Sequence, residues 1–203
     1  MKMHPMKTEM IPRASLSMTW CIAAAIGLSF LVALPVLGQG QGQKAEQVTK
    51  ELIFQPGSAP FPSSHASTVV ELKDHRLMAA WFGGTDEGNP DVAIWGAMRT
   101  SEGQDGHWTA PTLLVREPKT PCWNPVLFHT KDGRLWLYYK FGPSPSQWSA
   151  GRMVSDDEGK TWSPAEHLPA GLLGPIRAKP LVMVDGTIVS GSSIEAYHAW
   201  AVW

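Results

Sequence analysis

Acidic residues crowd one short stretch of this sequence: Asp86, Glu87 and Asp91 stand among threonine, glycine, asparagine and proline in the segment Gly83 to Asp91. A loop of turn-formers that carries several carboxylates suits reaching towards a ligand. A carboxyl group whose pKa is raised by burial can also donate a proton. Asp91 directly precedes an expected strand, Val92 to Met98, so its position is the best fixed of the three, with Glu87 second. A solvated acidic turn is the competing reading. His65, in Phe61-Pro62-Ser63-Ser64-His65-Ala66-Ser67, suits proton shuttling or a bond to a ligand oxygen, because histidine changes charge near neutral pH. A structural histidine at a strand start is its alternative. Trp123 and Asn124 offer a ring for stacking and an amide for hydrogen bonding, ahead of a second hairpin at a place analogous to that of His65. Tryptophan is, however, more often core. Lys140, Arg177 and Lys179 fall at expected strand ends, where a cation either contacts an acidic group or is merely solvated. No metal-ligand cluster, phosphate-binding glycine loop or Ser-His-Asp arrangement emerges from the spacing, so neither metal nor cofactor is expected.

Short strands are what must position these groups. The 203 residues include 10 Trp, 19 Gly and 17 Pro against 17% charged residues, which favours strands joined by tight turns over long helices. Seventeen basic and 18 acidic residues leave a formal net charge of −1, which gives no electrostatic case for nucleic acid or an anionic membrane. Residues 1–38 read as a secretory signal: Lys2, Lys7 and Arg13, an apolar run from Cys21 to Leu37, and a small-residue exit that suits cleavage after Gly38. An uncleaved anchor is the alternative and the sole expected membrane contact, since the run approaches spanning length; Pro35 and the Gly/Gln-rich exit favour cleavage. The expected location is therefore secreted or periplasmic. Loss of the leader leaves Cys122 without an internal disulfide partner, as a small buried apolar residue.

After a polar linker, residues 39–50, the chain repeats itself. Asp74-His75-Arg76-Leu77, Asp132-Gly133-Arg134-Leu135 and Asp185-Gly186-Thr187-Ile188 follow one another at intervals of 58 and 53 residues, each between two short apolar runs. An Asp-containing turn between such runs is a hairpin signal. Trp108-Thr109-Ala110-Pro111 and Trp162-Ser163-Pro164 echo one another at 54 residues, each after a further strand candidate. A hairpin, a third strand, a turn ending in Trp and a fourth strand make the unit of a β-propeller. A β-sandwich is the alternative, but it gives no reason for two markers to share one interval.

The second unit carries Ser155-Asp156-Asp157-Glu158-Gly159-Lys160-Thr161-Trp162, which fits the Asp-box pattern Ser-x-Asp-x-Gly-x-Thr-Trp. Gly159 supplies a positive φ, Asp157 and Ser155 accept or make hydrogen bonds within the turn, and Trp162 packs between strands. All four are read as scaffold. The first unit has a displaced version, from Ser101 to Trp108.

With this box, the segments His65-Ala66-Ser67-Thr68, Ala80-Trp81-Phe82-Gly83-Gly84-Thr85, Pro90-Asp91-Val92-Ala93-Ile94-Trp95, Pro121-Cys122-Trp123-Asn124-Pro125 and Leu173-Gly174-Pro175-Ile176-Arg177-Ala178-Lys179-Pro180 resemble bacterial sialidase-like proteins with BNR (Asp-box) repeats, from about Leu52 onwards. The resemblance implies an all-β, six-bladed propeller with a sugar site at its axis. At about 55 residues per blade, residues 51–203 hold about three blades, so a truncated form is expected. It also implies three arginines for a carboxylate, an acid/base from the loop that here holds Asp86, Glu87 and Asp91, and a tyrosine nucleophile helped by a glutamate, a position that Glu195 fits. Two departures stand out. No arginine occurs near His65, where an Arg-Ile-Pro motif is expected, and no tyrosine can be assigned. The expected function is a secreted glycoside hydrolase acting on terminal sugars of glycans. A lyase or other glycosidase using His65, or a non-catalytic glycan-binding propeller, are the alternatives.

Overall fold

A computed structural model describes residues 50–100, 106–196 and 199–202. The leader and nearly all of the linker lie outside the described residues, as does most of the displaced first box.

The described chain is all-β apart from one 3-10 turn, Pro145–Gln147. Strands β1 (Ser63–Glu71), β2 (Leu77–Gly84), β3 (Ala93–Met98) and β4 (Thr112–Val115) form one antiparallel sheet in sequence order. Strands β5 (Cys122–His129), β6 (Leu135–Phe141), β7 (Ser149–Ser155) and β8 (Glu166–His167) form a second of the same topology. The third repeat is two separate pairs, β9 (Leu181–Val182) with β10 (Ile188–Val189), and β11 (Ser193–Ala196) with β12 (Ala199–Val202). Two successive four-stranded units are thus formed, and no closed ring is seen among the described residues.

The three Asp-containing turns occupy matching corners, between β1 and β2, β5 and β6, and β9 and β10. Their hydrogen bonds are the same. His75, Gly133 and Gly186 donate their N–H to the carbonyls of Leu72, Thr130 and Met183, three residues back, at 2.9, 2.9 and 3.0 Å. Leu72, Thr130 and Met183 in turn donate to the carbonyls of Arg76, Arg134 and Thr187. Asp74, Asp132 and Asp185 each accept, on Oδ1, the N–H two residues ahead. This is a three-residue hairpin loop whose last position needs a positive φ. Glycine meets that need in two copies, and His75 adopts +62° in the other.

The Asp-box closes the β7–β8 connection. Ser155 Oγ donates to Asp157 Oδ1 and accepts from Gly159 N–H, both at 2.8 Å. Asp157 then takes the Thr161 N–H at 2.8 Å and the Thr161 hydroxyl at 2.6 Å. Gly159 has a φ of +80°. Trp162 packs against the main core.

That core lies between the two sheets, with Met78, Phe82 and Ile94 from the first meeting Leu127, Leu135, Leu137 and Tyr139 from the second. Each such side chain contributes about 1.5–3 kcal/mol when fully buried. The other face of the first sheet is covered by Phe54 and Phe61, which pack on Trp81 and Trp95. The edge strands β1 and β5 are tied together as well: Leu127 N–H donates to Thr68 Oγ1 at 3.3 Å, and Lys179 Nζ donates to the carbonyls of Val69 and Leu127 at 2.5 and 3.0 Å. Edge groups that a sheet leaves unpaired are thereby satisfied.

Candidate functional site

Both edge strands are bulged at the same place. Pairing of β1 with β2 slips between His65 and Thr68, and pairing of β5 with β6 slips between Trp123 and Val126. A bulge inserts an extra residue, bends its strand and re-aims the side chains there. Inside each bulge one residue other than glycine takes a positive φ, Ala66 at 51° and Asn124 at 30°. Such strained positions cluster at functional sites.

The two bulges stand in register with the repeat. His65 and Trp123 lie nine residues before the Asp of their turns, and in the third repeat that position is Ile176, followed by Arg177. His65, Ala66, Ser67, Trp123, Asn124, Pro125, Ile176 and Arg177 all line one cavity of about 770 Å³. Equivalent pieces of three repeats therefore converge on one pocket. Its wall is completed by Glu87 from the β2–β3 loop, Pro145 and Trp148 from the β6–β7 connection, and Ser193 at the start of β11. Ligand pockets typically hold about 300–1,000 Å³.

Within the pocket, Glu87 Oε2 lies 3.7 Å from His65 Nδ1, with both side chains largely open to solvent. The indole of Trp123 is held by a 2.8 Å bond from its Nε1 to the Gly142 carbonyl, and its ring sits between those of Phe82 and Trp148 at centroid distances of 5.9 Å. Asn124 and Arg177 make no hydrogen bond or ion pair within the described residues. Of the sequence-predicted residues, the structure brings together His65, Glu87, Trp123, Asn124 and Arg177. Glu195 is half-buried on β11, two residues beyond Ser193 and so on the same strand face.

Four candidates are not among the pocket's lining: Glu195, and three whose polar groups are engaged elsewhere. Asp91 Oδ2 accepts from the Thr85 amide and hydroxyl at 2.8 and 2.6 Å, and these bonds hold its pKa below the usual carboxylate value. It staples the loop that presents Glu87. Proton donation needs the opposite shift. Lys140 is fully buried, with its amine 2.7 Å from the Pro175 carbonyl, and burial pushes its pKa down to about 7. It turns inward because segment 174–176 covers the face of β6 that carries Tyr138 and Lys140. Lys179 is spent on the two edge strands, as described above, and desolvation lowers its pKa.

Sequence reasoning missed Ala66, Ser67, Pro125, Pro145, Trp148, Ile176 and Ser193 as wall residues. The nine-residue interval to each turn's Asp was a signal that would have found Ile176. The others become neighbours only through packing. One polar cluster lies apart from the lining residues: buried Glu117 accepts from the Tyr139 hydroxyl at 2.7 Å and faces His167 Nε2 at 2.8 Å. Nearby Cys122 is buried, and desolvation pushes its pKa up to about 12, so it is an inert thiol.

Comparison with known proteins fits this geometry. Residues 75–203 match the family profile described as BNR repeat-like domain. No curated protein matches the sequence. Among solved structures, a Hadza microbial sialidase overlays on 70% of this chain and 34% of its own, with a TM-score of 0.57 and 16% identity. A protein of unknown function from Dyadobacter fermentans overlays on 67% of this chain and 47% of its own, with a TM-score of 0.50 and 17% identity. An α-L-arabinofuranosidase from Lactobacillus brevis matches over 69% and 48% at a TM-score of 0.48 and 18% identity. The chain spans about a third to a half of the length of these structures, and at such identities the likeness of the first two is one of fold. Since the matched residues make up well over half of the sequence, the protein belongs to the BNR repeat-like domain family, with a fold like that of the sialidase.

Proposed function

We propose that the protein is a secreted, sialidase-like glycoside hydrolase that acts on terminal sugars of glycans. Its sheets would be successive blades of a six-bladed propeller, and the pocket at the bulged strands would be its sugar site. The observation that carries this reading is the convergence of equivalent positions from three repeats on one cavity. In it, Trp123 provides apolar surface, Asn124 and Arg177 provide donors, and Glu87 provides a carboxylate beside His65. Glu87 is assigned as acid/base in place of Asp91, whose bonds to Thr85 stabilise the ionised form. Hydrolysis then breaks the bond between the anomeric carbon and the leaving oxygen. Glu87 gives that oxygen a proton, a water oxygen ends on the anomeric carbon, and the proton that this water loses restores the carboxyl group of Glu87. Glu195 is the second carboxylate available on the pocket side of the third repeat.

The test is a panel of fluorogenic glycosides, sialosides included, assayed with wild type and Glu87→Gln. The substitution is expected to lower kcat by about 10²–10⁴-fold on the substrate that is cleaved. Unchanged kcat removes Glu87 from the mechanism. Glycan binding without turnover of any glycoside would favour the non-catalytic binding alternative. Export is tested by the mass of the mature chain, which should begin after Gly38.

A further inference from the structure

Segment 173–180, ahead of β9, belongs to no strand, yet it carries Ile176 and Arg177 into the pocket wall. Its apolar anchors are Leu173 and Ile176, both buried in the main core. A buried backbone carbonyl without a sheet partner must find its donor elsewhere. Here side chains from outside the segment serve. Lys140 on β6 gives its amine to the carbonyl of buried Pro175 at 2.7 Å, and Ser192 gives its hydroxyl to the Gly174 carbonyl at 3.1 Å. In the reverse sense, Lys179 reaches out of the segment to the carbonyls of Val69 on β1 and Leu127 on β5. Two amines thus bind carbonyls on either side of Ile176 and Arg177.

Lys140 is a costly choice for its place. Its side chain is fully buried, and desolvation alone shifts its titration, with no neighbouring charge to offset it. An ammonium has three donors, and the Pro175 carbonyl takes one of them. A buried cation without a carboxylate stabilises a fold less well than an apolar side chain of like volume. Stability therefore gives no reason for an amine here, whereas placement of the segment does. Across the β5–β6 ladder the partner of Lys140 is Trp123, itself a wall residue. One amine ties the wall-bearing part of the second repeat to that of the third.

We propose that Lys140 and Lys179 are positioning residues of the pocket, which fasten segment 173–180 so that Ile176 and Arg177 form its third wall. The effect on a ligand rests on the pocket being a saccharide site; the fastening does not. Without the Lys140 amine the Pro175 carbonyl turns to water, since no strand holds it, and draws Ile176 and Arg177 away from the wall.

The test combines limited proteolysis with ligand binding, on the full chain. Trypsin cuts after Arg177, which precedes Ala178, and spares Lys179, which precedes Pro180. The rate of that cut, followed by peptide mass, reports how often the segment opens. In Lys140→Met it should rise at least about tenfold, as expected when a bond to a charged group is lost, with cleavage after Arg134 unchanged. Lys179→Met should act in the same direction, and it supplies the same readout if the first variant does not fold. The second readout is ligand-observed NMR with methyl glycosides of galactose, N-acetylglucosamine and N-acetylneuraminate. Whichever binds wild type should bind each variant at least about threefold more weakly, because fewer molecules keep the wall in place. Equal acceleration after Arg177 and Arg134 would make the lysines general stabilisers and overturn the proposal, as would unchanged cleavage at both. Faster cleavage after Arg177 with undiminished sugar binding would overturn it too, since the segment would then be no wall. Binding of no glycoside to wild type overturns the saccharide reading alone, and the cleavage rates then decide the fastening.

Discussion

At the scale of single residues, Lys140 sets the clearest expectation. Its buried amine keeps a pKa of about 7, whereas an unfolded lysine titrates near 10.4. Between those values the unfolded chain binds more protons, so this group makes stability rise with pH across that window. Urea denaturation at pH 7 and pH 9 should show a gain of roughly 2 kcal/mol that Lys140→Met abolishes. A slope retained in the variant would assign it to other groups. Asp157 works in the opposite range. Its bonds to Thr161 and Ser155 hold its pKa at about 2, against an ordinary value of 3.8. The stability it contributes is present above the unfolded value and is lost as pH falls through about 2. Asp157→Ala should lower the melting temperature at neutral pH and flatten the acid limb between pH 4 and 2. A variant melting like wild type at pH 7 would show that the box is held by other contacts.

At the scale of elements, close approach decides more than propensity does. Gly151 on β7 leaves no room for a methyl group, because an added Cβ would lie 2.4 Å from the Tyr139 hydroxyl. Gly151→Ala should displace Tyr139 from Glu117 and cost about 1–3 kcal/mol by urea denaturation, the range for overpacked cores. An unchanged midpoint would show that the sheet yields there freely. The hairpins were readable in the sequence because their chemistry is local: an Asp that accepts the N–H two residues on, then a residue at positive φ. The bulges were not, since alternation alone makes His65 and Trp123 ordinary strand residues. The inward turn of Lys140 was hidden for a similar reason. In β6 it lies on the face opposite Leu135, Leu137 and Tyr139, which reads as solvent-facing until segment 174–176 is laid across it. Asp91 looked well placed because it precedes a strand, and it is well fixed, by Thr85.

At the scale of the molecule, the first two repeats and the third are unequal. The first two share a core and are clasped at the box end, where Glu158 accepts the Lys73 N–H at 3.0 Å and faces Lys73 Nζ and His129 Nε2 at 3.2 and 3.3 Å. The β9–β10 hairpin exposes Leu181, Ile188, Val189 and, at 96%, Val184. Hydrogen exchange should therefore protect amides of β2 and β6 well beyond those of β9 and β10. Equal protection would mean that the third repeat is buried in solution. The repeat architecture was legible because periodic turns report it directly. The pocket was legible only where its residues carried unusual chemistry, as His65, Glu87 and Arg177 do; Pro145 and Trp148 arrive from the β6–β7 connection and Ser193 from the start of β11.

The bulges in the two edge strands carry one last consequence. An inserted residue sits outside the ladder, so its side chain is not committed to the pairing of the sheet. Alanine, asparagine and arginine occupy three matching stations with the neighbouring turns unchanged. Ligand preference is thereby uncoupled from foldability: the crest letters can be rewritten while the frame that displays them stays as it is.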